Sequence, residues 1–500
     1  MQLSRGALSL VTDPAPYRIR APAIPFAKHT EARGKAKYAL IISIDGINYD
    51  VLEKHLGKLK HLKDLVDRGF FRPAYTVFPS VTWAAHVSVV TGQYPRHHGV
   101  LGNRWWDHRR FVLPYMYSVV ETQRRIRTPA LYDLTAKRGW TSAAINWPAT
   151  QRAKGITFNL PETMYSPKYA YRYMSKPLRT VVASVAQRNA EGPRVDITTS
   201  VGRILQHENL RADRFSRDIA RKLVDGRNTP RLMLVHFVTT DTVQHAGGRT
   251  SRYLFGALKR IDSYVGSLIN AYGEAGIAER TAFFVVSDHG FLNVSHAVDL
   301  RQLLYDKGFN RYRTLRSTRQ ARREHFLTVF NSQVAYIYAR RARDRKRLPE
   351  LVKLLHHDKY KRCIAGVYAP SEYRKLGLPV PTHARKPRAG THRSAPSLVV
   401  LSKADCDFRN GNPRRRYVYR RHRYAVGSHG YLPSMHKMRA FMIGAGAGLR
   451  QRRKIKAARL VDIAPTVAYL MGMSWPKRWA GWGKQRLRLD GRVMTDVLDD

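Results

Sequence analysis

The chain has 500 residues, 43% of them hydrophobic and 10% aromatic, which is enough for a large α/β domain with an insertion or for two to three domains, and too apolar for wholesale disorder. Two cysteines, Cys363 and Cys406, exclude a disulfide scaffold and a thiolate zinc cluster and leave a single disulfide open. No apolar run reaches the roughly eighteen residues that a membrane-spanning helix needs, while 89 Lys+Arg against 36 Asp+Glu give a net charge of +53.

Residues 1–35 are rich in Pro, Arg and Ala without periodicity and read as a basic arm. Gly6–Val11 is apolar but short for the core of an export signal. Order begins at Tyr38–Ile44, a continuous apolar run of the kind buried on both faces of a sheet. Ser142–Ile145, Leu232–Val238 and Ala282–Val286 repeat that pattern, and amphipathic stretches such as Tyr253–Tyr272 lie between them. Strands alternating with helices predict a mostly parallel central sheet with helices on both faces. The core is expected over 36–296, with a helical excursion at 165–225, and again over 426–500. Between them, 297–425 is irregular and basic, with denser runs at Arg340–Arg347 and Arg414–Arg423, and reads as an inserted cap.

Three of the buried-looking runs end in aspartate: Ile44 is followed by Asp45, Thr240 by Asp241 and Ser287 by Asp288. The carboxyl ends of parallel strands share one edge, so the three carboxylates are expected to converge there. Converging carboxylates repel unless cations hold them. His245 lies one helical turn after Asp241, His289 directly follows Asp288, and His429 sits between glycines in Gly-Ser-His-Gly-Tyr. A lone Asp after a strand is usually a cap or turn former, and it is the joint pattern that points to metal. Carboxylate oxygens with imidazole nitrogens suit zinc, and six such groups exceed one tetrahedral ion, so two Zn2+ are expected. In Phe78-Pro-Ser80-Val-Thr82-Trp83-Ala-Ala-His86 a hydroxyl precedes an apolar helical run, where free backbone N–H groups welcome a phosphate. Taken alone, that segment reads first as an N-cap by Thr82 or Ser80.

These segments, with Thr91-Gly-Gln-Tyr-Pro-Arg-His-His98-Gly-Val-Leu-Gly-Asn103 and Val461-Asp-Ile-Ala-Pro-Thr-Val-Ala-Tyr-Leu-Met-Gly, occur in an order that resembles the type I phosphodiesterase/nucleotide pyrophosphatase branch of the alkaline phosphatase superfamily. The resemblance spans about residues 37–500. It implies an alkaline phosphatase-like α/β fold. It also implies one zinc ion on Asp241, His245 and His429 and another on Asp45, Asp288 and His289. Thr82 would reach the metals as nucleophile and form a phosphothreonine intermediate, and Asn103 would donate to a phosphoryl oxygen. The implied activity is hydrolysis of phosphodiester or pyrophosphate bonds in small nucleotide-type substrates. Thr82-Trp-Ala-Ala-His86 departs from the family's usual Thr-Phe-Pro-Asn-His, and Asn146-Trp147-Pro148-Ala149 carries Ala where Trp-Pro-Gly is common. Trp83, an aromatic that reads alike as a nucleobase stacker or as core, and Trp147 are the candidate substrate-binding aromatics.

The alternatives are a phosphonate hydrolase or phosphate monoesterase of the same superfamily and, from another class, a catalytically retired polyanion-binding protein. The absence of a Cys/Ser-x-Pro-x-Arg context around Thr82 argues against a sulfatase. Basic residues spread along the whole chain read as the surface of an extracytoplasmic protein of an acid-tolerant cell, with an export signal expected upstream of Met1. The rival is that the basic insertion steers long polyanions into the site.

Overall fold

A computed structural model of the chain describes residues 33–106, 126–162, 167–189, 209–224, 228–315, 317–357, 362–382, 390–409, 418–452, 456–478 and 486–499. Its centre is an eight-stranded mixed sheet. In chain order the strands are β1 (Tyr38–Ile44), β2 (Phe70–Tyr75), β3 (Ser142–Trp147), β4 (Phe158–Pro161), β5 (Leu232–Phe237), β6 (Thr281–Val286), β16 (Ala440–Gly446) and β17 (Ala458–Arg459). They lie side by side as β17-β2-β16-β6-β1-β5-β3-β4. All four apolar runs of the sequence are strands of this sheet. Only β16 runs antiparallel to its neighbours, β2 and β6.

The continuous apolar runs have a direct cause. Along β1, Ala39 and Ile41 point into one core, which includes residues of the helices Thr82–Thr91, Leu131–Lys137 and Ile463–Leu470. Leu40, Ile42 and Ile44 point into a second core beneath the helices Lys60–Arg68, Lys176–Asn189, Asn209–Lys222 and Leu254–Glu274. Both faces are covered, so no polar alternation survives. Two of these helices, Lys176–Asn189 and Asn209–Lys222, fall in the expected 165–225 excursion, as does the helix Pro167–Tyr173, while residues 190–208 lie outside the described ones. The expected arm lies outside them as far as residue 32, as does the Arg414 end of the second basic run.

Beyond β6 the chain leaves the sheet along β7 (Leu292–Val298) and builds an antiparallel sheet, β10-β13-β9-β8, from β8 (Phe326–Asn331), β9 (Val334–Ala339), β10 (Ile364–Tyr368) and β13 (Leu398–Ser402). β11 (Val380–Pro381) and β12 (Thr391–His392) form a separate two-residue parallel pair. β14 (Cys406–Phe408) and β15 (Tyr419–Ser428) flank β7 in a three-stranded sheet. Cys363 and Cys406 are disulfide-bonded across a separation of 43 residues, which ties the start of β10 to β14. None of the helices among the described residues is long and apolar enough to cross a membrane.

Candidate active site

Strand register brings the expected residues together. β6, β1 and β5 are adjacent, with Ser43 opposite Val286 and Ile44 opposite Phe237. Continuing the β1–β6 register by two places sets Asp45 beside Asp288, while β5 feeds the helix Thr239–Gly247 that carries Asp241 and His245. The fourth segment arrives from the three-stranded sheet β14-β7-β15. β7 leaves just after His289, and β15 returns antiparallel to it with Ser428 opposite Leu292, which delivers His429 against His289. Their rings stack with centroids 3.9 Å apart. Gly46 makes the turn behind Asp45 at φ 75°, where a Cβ would lie 2.5 Å from the Phe291 ring.

Each histidine presents the same face. Nδ1 of His245 is hydrogen-bonded to Gly427 O, that of His289 to Gly290 O and that of His429 to Ser80 O, at 3.1, 3.2 and 3.0 Å. A ring nitrogen facing a carbonyl must carry the proton, so Nε2 is a bare lone pair in all three. The Nε2 atoms of His245 and His429 nevertheless lie 3.2 Å apart. The carboxylates are arranged alike. Asp288 Oδ1 accepts from the amides of Gly46 and His289, and Asp45 Oδ2 lies 3.0 Å from His236 Nε2, whereas Asp45 Oδ1, Asp241 Oδ1 and Asp288 Oδ2 are buried without a hydrogen-bond partner. The bare atoms converge. Asp241, His245 and His429 have ligand atoms within 4.8 Å of one another, as do Asp45, Asp241 and His289, and Asp288 Oδ2 is 3.2 Å from His289 Nε2.

The electrostatics follow from burial. Burial raises the Asp45 carboxyl well above its usual range, with Asp288, Asp241 and Glu162 adding to the rise. Burial likewise raises Asp288, and it raises Asp241 to about 6. Burial lowers His289 to about 3, and lowers His429 further than its neighbours His289 and His245 do. The lowered imidazoles of His289 and His429 beside crowded carboxylates make a poor site for protons and a good one for divalent cations. The spacing fits as well. Two ligands about 2.0 Å from one tetrahedral zinc lie about 3.3 Å apart, close to the 3.2 to 3.8 Å observed between paired ligand atoms.

Thr82 is the first residue of the helix Thr82–Thr91, which has no side-chain N-cap. Ser80 is fully buried and its hydroxyl donates to Tyr431 O at 2.7 Å, so its proton is taken by the backbone. His86, one turn into the helix, lies 3.7 Å from Asp288 Oδ2. Asn103 accepts the backbone N–H of Trp83 at 2.9 Å through Oδ1. The Trp83 side chain is buried among Val87, Val100, Ala149 and Tyr173. Trp147 is fully buried, edge-on to the His86 ring. Ala149, where a glycine was the expected residue, holds a φ of 61°.

Two residues with no signal strong enough to single them out lie in the same place. His236, inside the apolar run of β5, is hydrogen-bonded to Asn146 O through Nδ1 and holds Asp45 through Nε2. A polar residue facing the edge from within an apolar strand was its only mark. Glu162, at the end of β4, accepts the indole N–H of Trp83 at 2.7 Å, and burial pushes its carboxyl up to about 8.

The family model for type I phosphodiesterase / nucleotide pyrophosphatase matches residues 39–432. An uncharacterized pyrophosphatase/phosphodiesterase of Schizosaccharomyces pombe is 25% identical over 54% of this chain and 47% of its own length. The bis(5'-adenosyl)-triphosphatase ENPP4 of Bos taurus is 21% identical over 89% of this chain and 81% of its own. The chain thus spans about half the length of the first of these relatives. Among solved structures, human ectonucleotide pyrophosphatase / phosphodiesterase 5 is similar with a TM-score of 0.60 at 17% identity, covering 93% of this chain and 100% of that one. An inactive murine counterpart in complex with AMP is similar with the same TM-score at 16% identity and the same coverage. The α/β architecture is shared with these structures.

Proposed function

The chain belongs to the type I phosphodiesterase / nucleotide pyrophosphatase family, and on that premise we propose that it hydrolyses phosphodiester or pyrophosphate bonds of nucleotide-type substrates at a two-zinc centre, with Thr82 as nucleophile. The observation that carries this reading is the set of bare, inward-facing ligand atoms, above all two imidazole lone pairs 3.2 Å apart. Asp241, His245 and His429 would hold one ion. Asp45, Asp288 and His289 would hold the other, with Thr82 reaching toward both. His236 and the backbone carbonyls behind each histidine would orient these ligands. Bound there, the ions would supply Lewis-acid stabilisation of phosphoryl charge and favour ionisation of a hydroxyl at neutral pH.

The remaining steps belong to the chain's own residues. The Thr82 oxygen attacks phosphorus in line. The Oγ1–P bond forms as the bond from phosphorus to the leaving oxygen breaks, and the leaving oxygen takes up a proton. Water then cleaves Oγ1–P from the vacated side and regenerates the hydroxyl. Asn103 has its oxygen engaged by Trp83, so Nδ2 is the atom it offers to a non-bridging phosphoryl oxygen. The solved neighbour with AMP supports a nucleotide-type substrate. The Cys363–Cys406 disulfide supports an oxidising, extracytoplasmic setting.

Hydrolysis of bis(p-nitrophenyl) phosphate, p-nitrophenyl phosphate, a dinucleoside polyphosphate and single-stranded DNA by zinc-loaded protein across a salt series tests the assignment. We expect the diester or pyrophosphate to be preferred and chelation to abolish turnover. Preference for the monoester would transfer the assignment to the phosphate monoesterases. Preference for single-stranded DNA, lost steeply as salt rises, would support polyanion steering by the basic cap.

A further inference from the structure

Asn103 offers a donor to the phosphoryl group only while its oxygen stays on the Trp83 amide, and the structure holds that arrangement from two sides. On the core side, Trp83 is the second residue of its helix and its indole is wedged between Val87, Val100 and Ala149. The indole N–H ends on Glu162 Oε2 at 2.7 Å. Glu162 is 2% exposed, and its own backbone is anchored by a bond from its N–H to Trp147 O and by Gln151 Nε2 on its carbonyl. Without an acceptor the indole N–H would be buried and unsatisfied, and the first turn of the helix would shift to satisfy it.

On the cap side, Asn331 at the end of β8 takes both backbone groups of Arg104, the residue after Asn103. Its Oδ1 accepts the Arg104 N–H at 2.9 Å and its Nδ2 donates to Arg104 O at 2.8 Å. Asn331 is 2% exposed, and it comes so close that a Cβ on Gly102 would lie 2.6 Å from its oxygen. Tyr336, in the next strand, donates its hydroxyl to Leu101 O at 2.6 Å. The 101–104 turn is thus joined to the cap at three backbone groups.

The geometry assigns Glu162, acting through Trp83, and Asn331, acting through Arg104, as positioning residues that clamp Asn103 with its amide nitrogen toward the phosphoryl group. This rests on the proposed phosphoryl-transfer reading, and it adds that the cap contributes to turnover through Asn331. Neither residue is a catalytic residue, because neither reaches the substrate. Their effect belongs in kcat, since the donor matters most when charge accumulates on phosphorus oxygens.

The test is a set of zinc-loaded variants assayed on bis(p-nitrophenyl) phosphate, with melting temperature and zinc content measured alongside. Asn103→Ala should lose about 100-fold in kcat. Glu162→Met and Asn331→Ala should each lose about 10-fold in kcat with KM within about 2-fold. Glu162→Gln, which keeps an acceptor for the indole, should stay within about 2-fold of wild type. In the Asn103→Ala background, Glu162→Met and Asn331→Ala should cost less than about 2-fold more, because the group they position is gone. Trp83→Phe keeps the ring and removes the N–H, so it should reproduce Glu162→Met without adding to it, and it serves if Glu162→Met does not fold. Full, multiplicative losses in the Asn103→Ala background, or wild-type kcat in folded Trp83→Phe and Asn331→Ala, overturn the clamp. An active Thr82→Ala overturns the parent reading instead, and is scored separately.

Discussion

The two groups of proposed metal ligands differ in what holds them. Asp45, Asp288 and His289 follow the central strands β1 and β6 and are almost wholly buried, with His236 and His86 packed behind them. Asp241, His245 and His429 sit on a helix and on the end of a cap strand, and the His245 side chain is 40% exposed. The inner group follows two strands of the central sheet. The outer group follows the central sheet for two residues and the β7–β15 pairing for the third. The helix Thr82–Thr91 joins them, since Ser80 before it holds His429 and His86 within it faces Asp288.

Thr82 belongs to neither group, so Thr82→Ala should separate chemistry from metal. We expect turnover to fall at least about 1,000-fold while both ions stay bound, as read by zinc analysis. Ser80→Ala, whose hydroxyl is engaged by Tyr431 O, should lose far less. A dead Ser80→Ala beside an active Thr82→Ala would move the nucleophile by two residues.

Ion release should sharpen the comparison directly. With a chelator and a colorimetric zinc reporter, one equivalent should leave quickly from the outer group and one slowly from the inner. His245→Ala should remove the fast phase and His289→Ala the slow one. Release in a single phase would mean that the two groups act as one.

Reduction of Cys363–Cys406 should act on the outer group only. Cys406 begins β14, which pairs with β7, and β7 pairs with the β15 strand that carries the chain to His429. Closing a loop of 43 residues is worth about 4 kcal/mol by the chain-entropy account. Reduced protein should melt at lower temperature and lose its fast-phase ion more readily, with the slow phase unchanged. An equal change in both phases would break the division of labour.

The smallest effect should come from Asp490, which touches neither group. Its carboxylate accepts the Tyr94 N–H and pairs with His97 and Arg96, and His97, Arg96 and the Tyr94 amide hold it down at about 2 against the opposing effect of burial. A carboxyl whose pKa is lower folded than unfolded adds stability above its unfolded pKa and loses it as pH falls through its folded one. Asp490→Asn should therefore cost about 2 kcal/mol at neutral pH. The difference from wild type should shrink between about pH 4 and pH 2, with turnover unchanged. A gap that persists at low pH would show that the pairing is not the source.

The sequence by itself determined what local pattern can carry. An apolar run wide enough for two covered faces, closed by aspartate, marks a central strand and the edge where it ends, and Asp241 with His245 one turn later follows from helical spacing alone. Everything that needs register was decided by the tertiary structure. His429 meets His289 because β15 pairs antiparallel with β7, with Ser428 opposite Leu292, a contact chosen by packing between segments far apart in the chain. The same holds for His236 behind Asp45, Glu162 beneath Trp83, Asn331 against Arg104 and the joining of Cys363 to Cys406. Trp83 and Trp147 make the point in reverse, since an aromatic in sequence reads alike whether it faces a ligand or the core, and here both are buried. Periodicity records which face of an element avoids water. Which elements then meet is set by the free energy of the assembled core, and no single segment contains it.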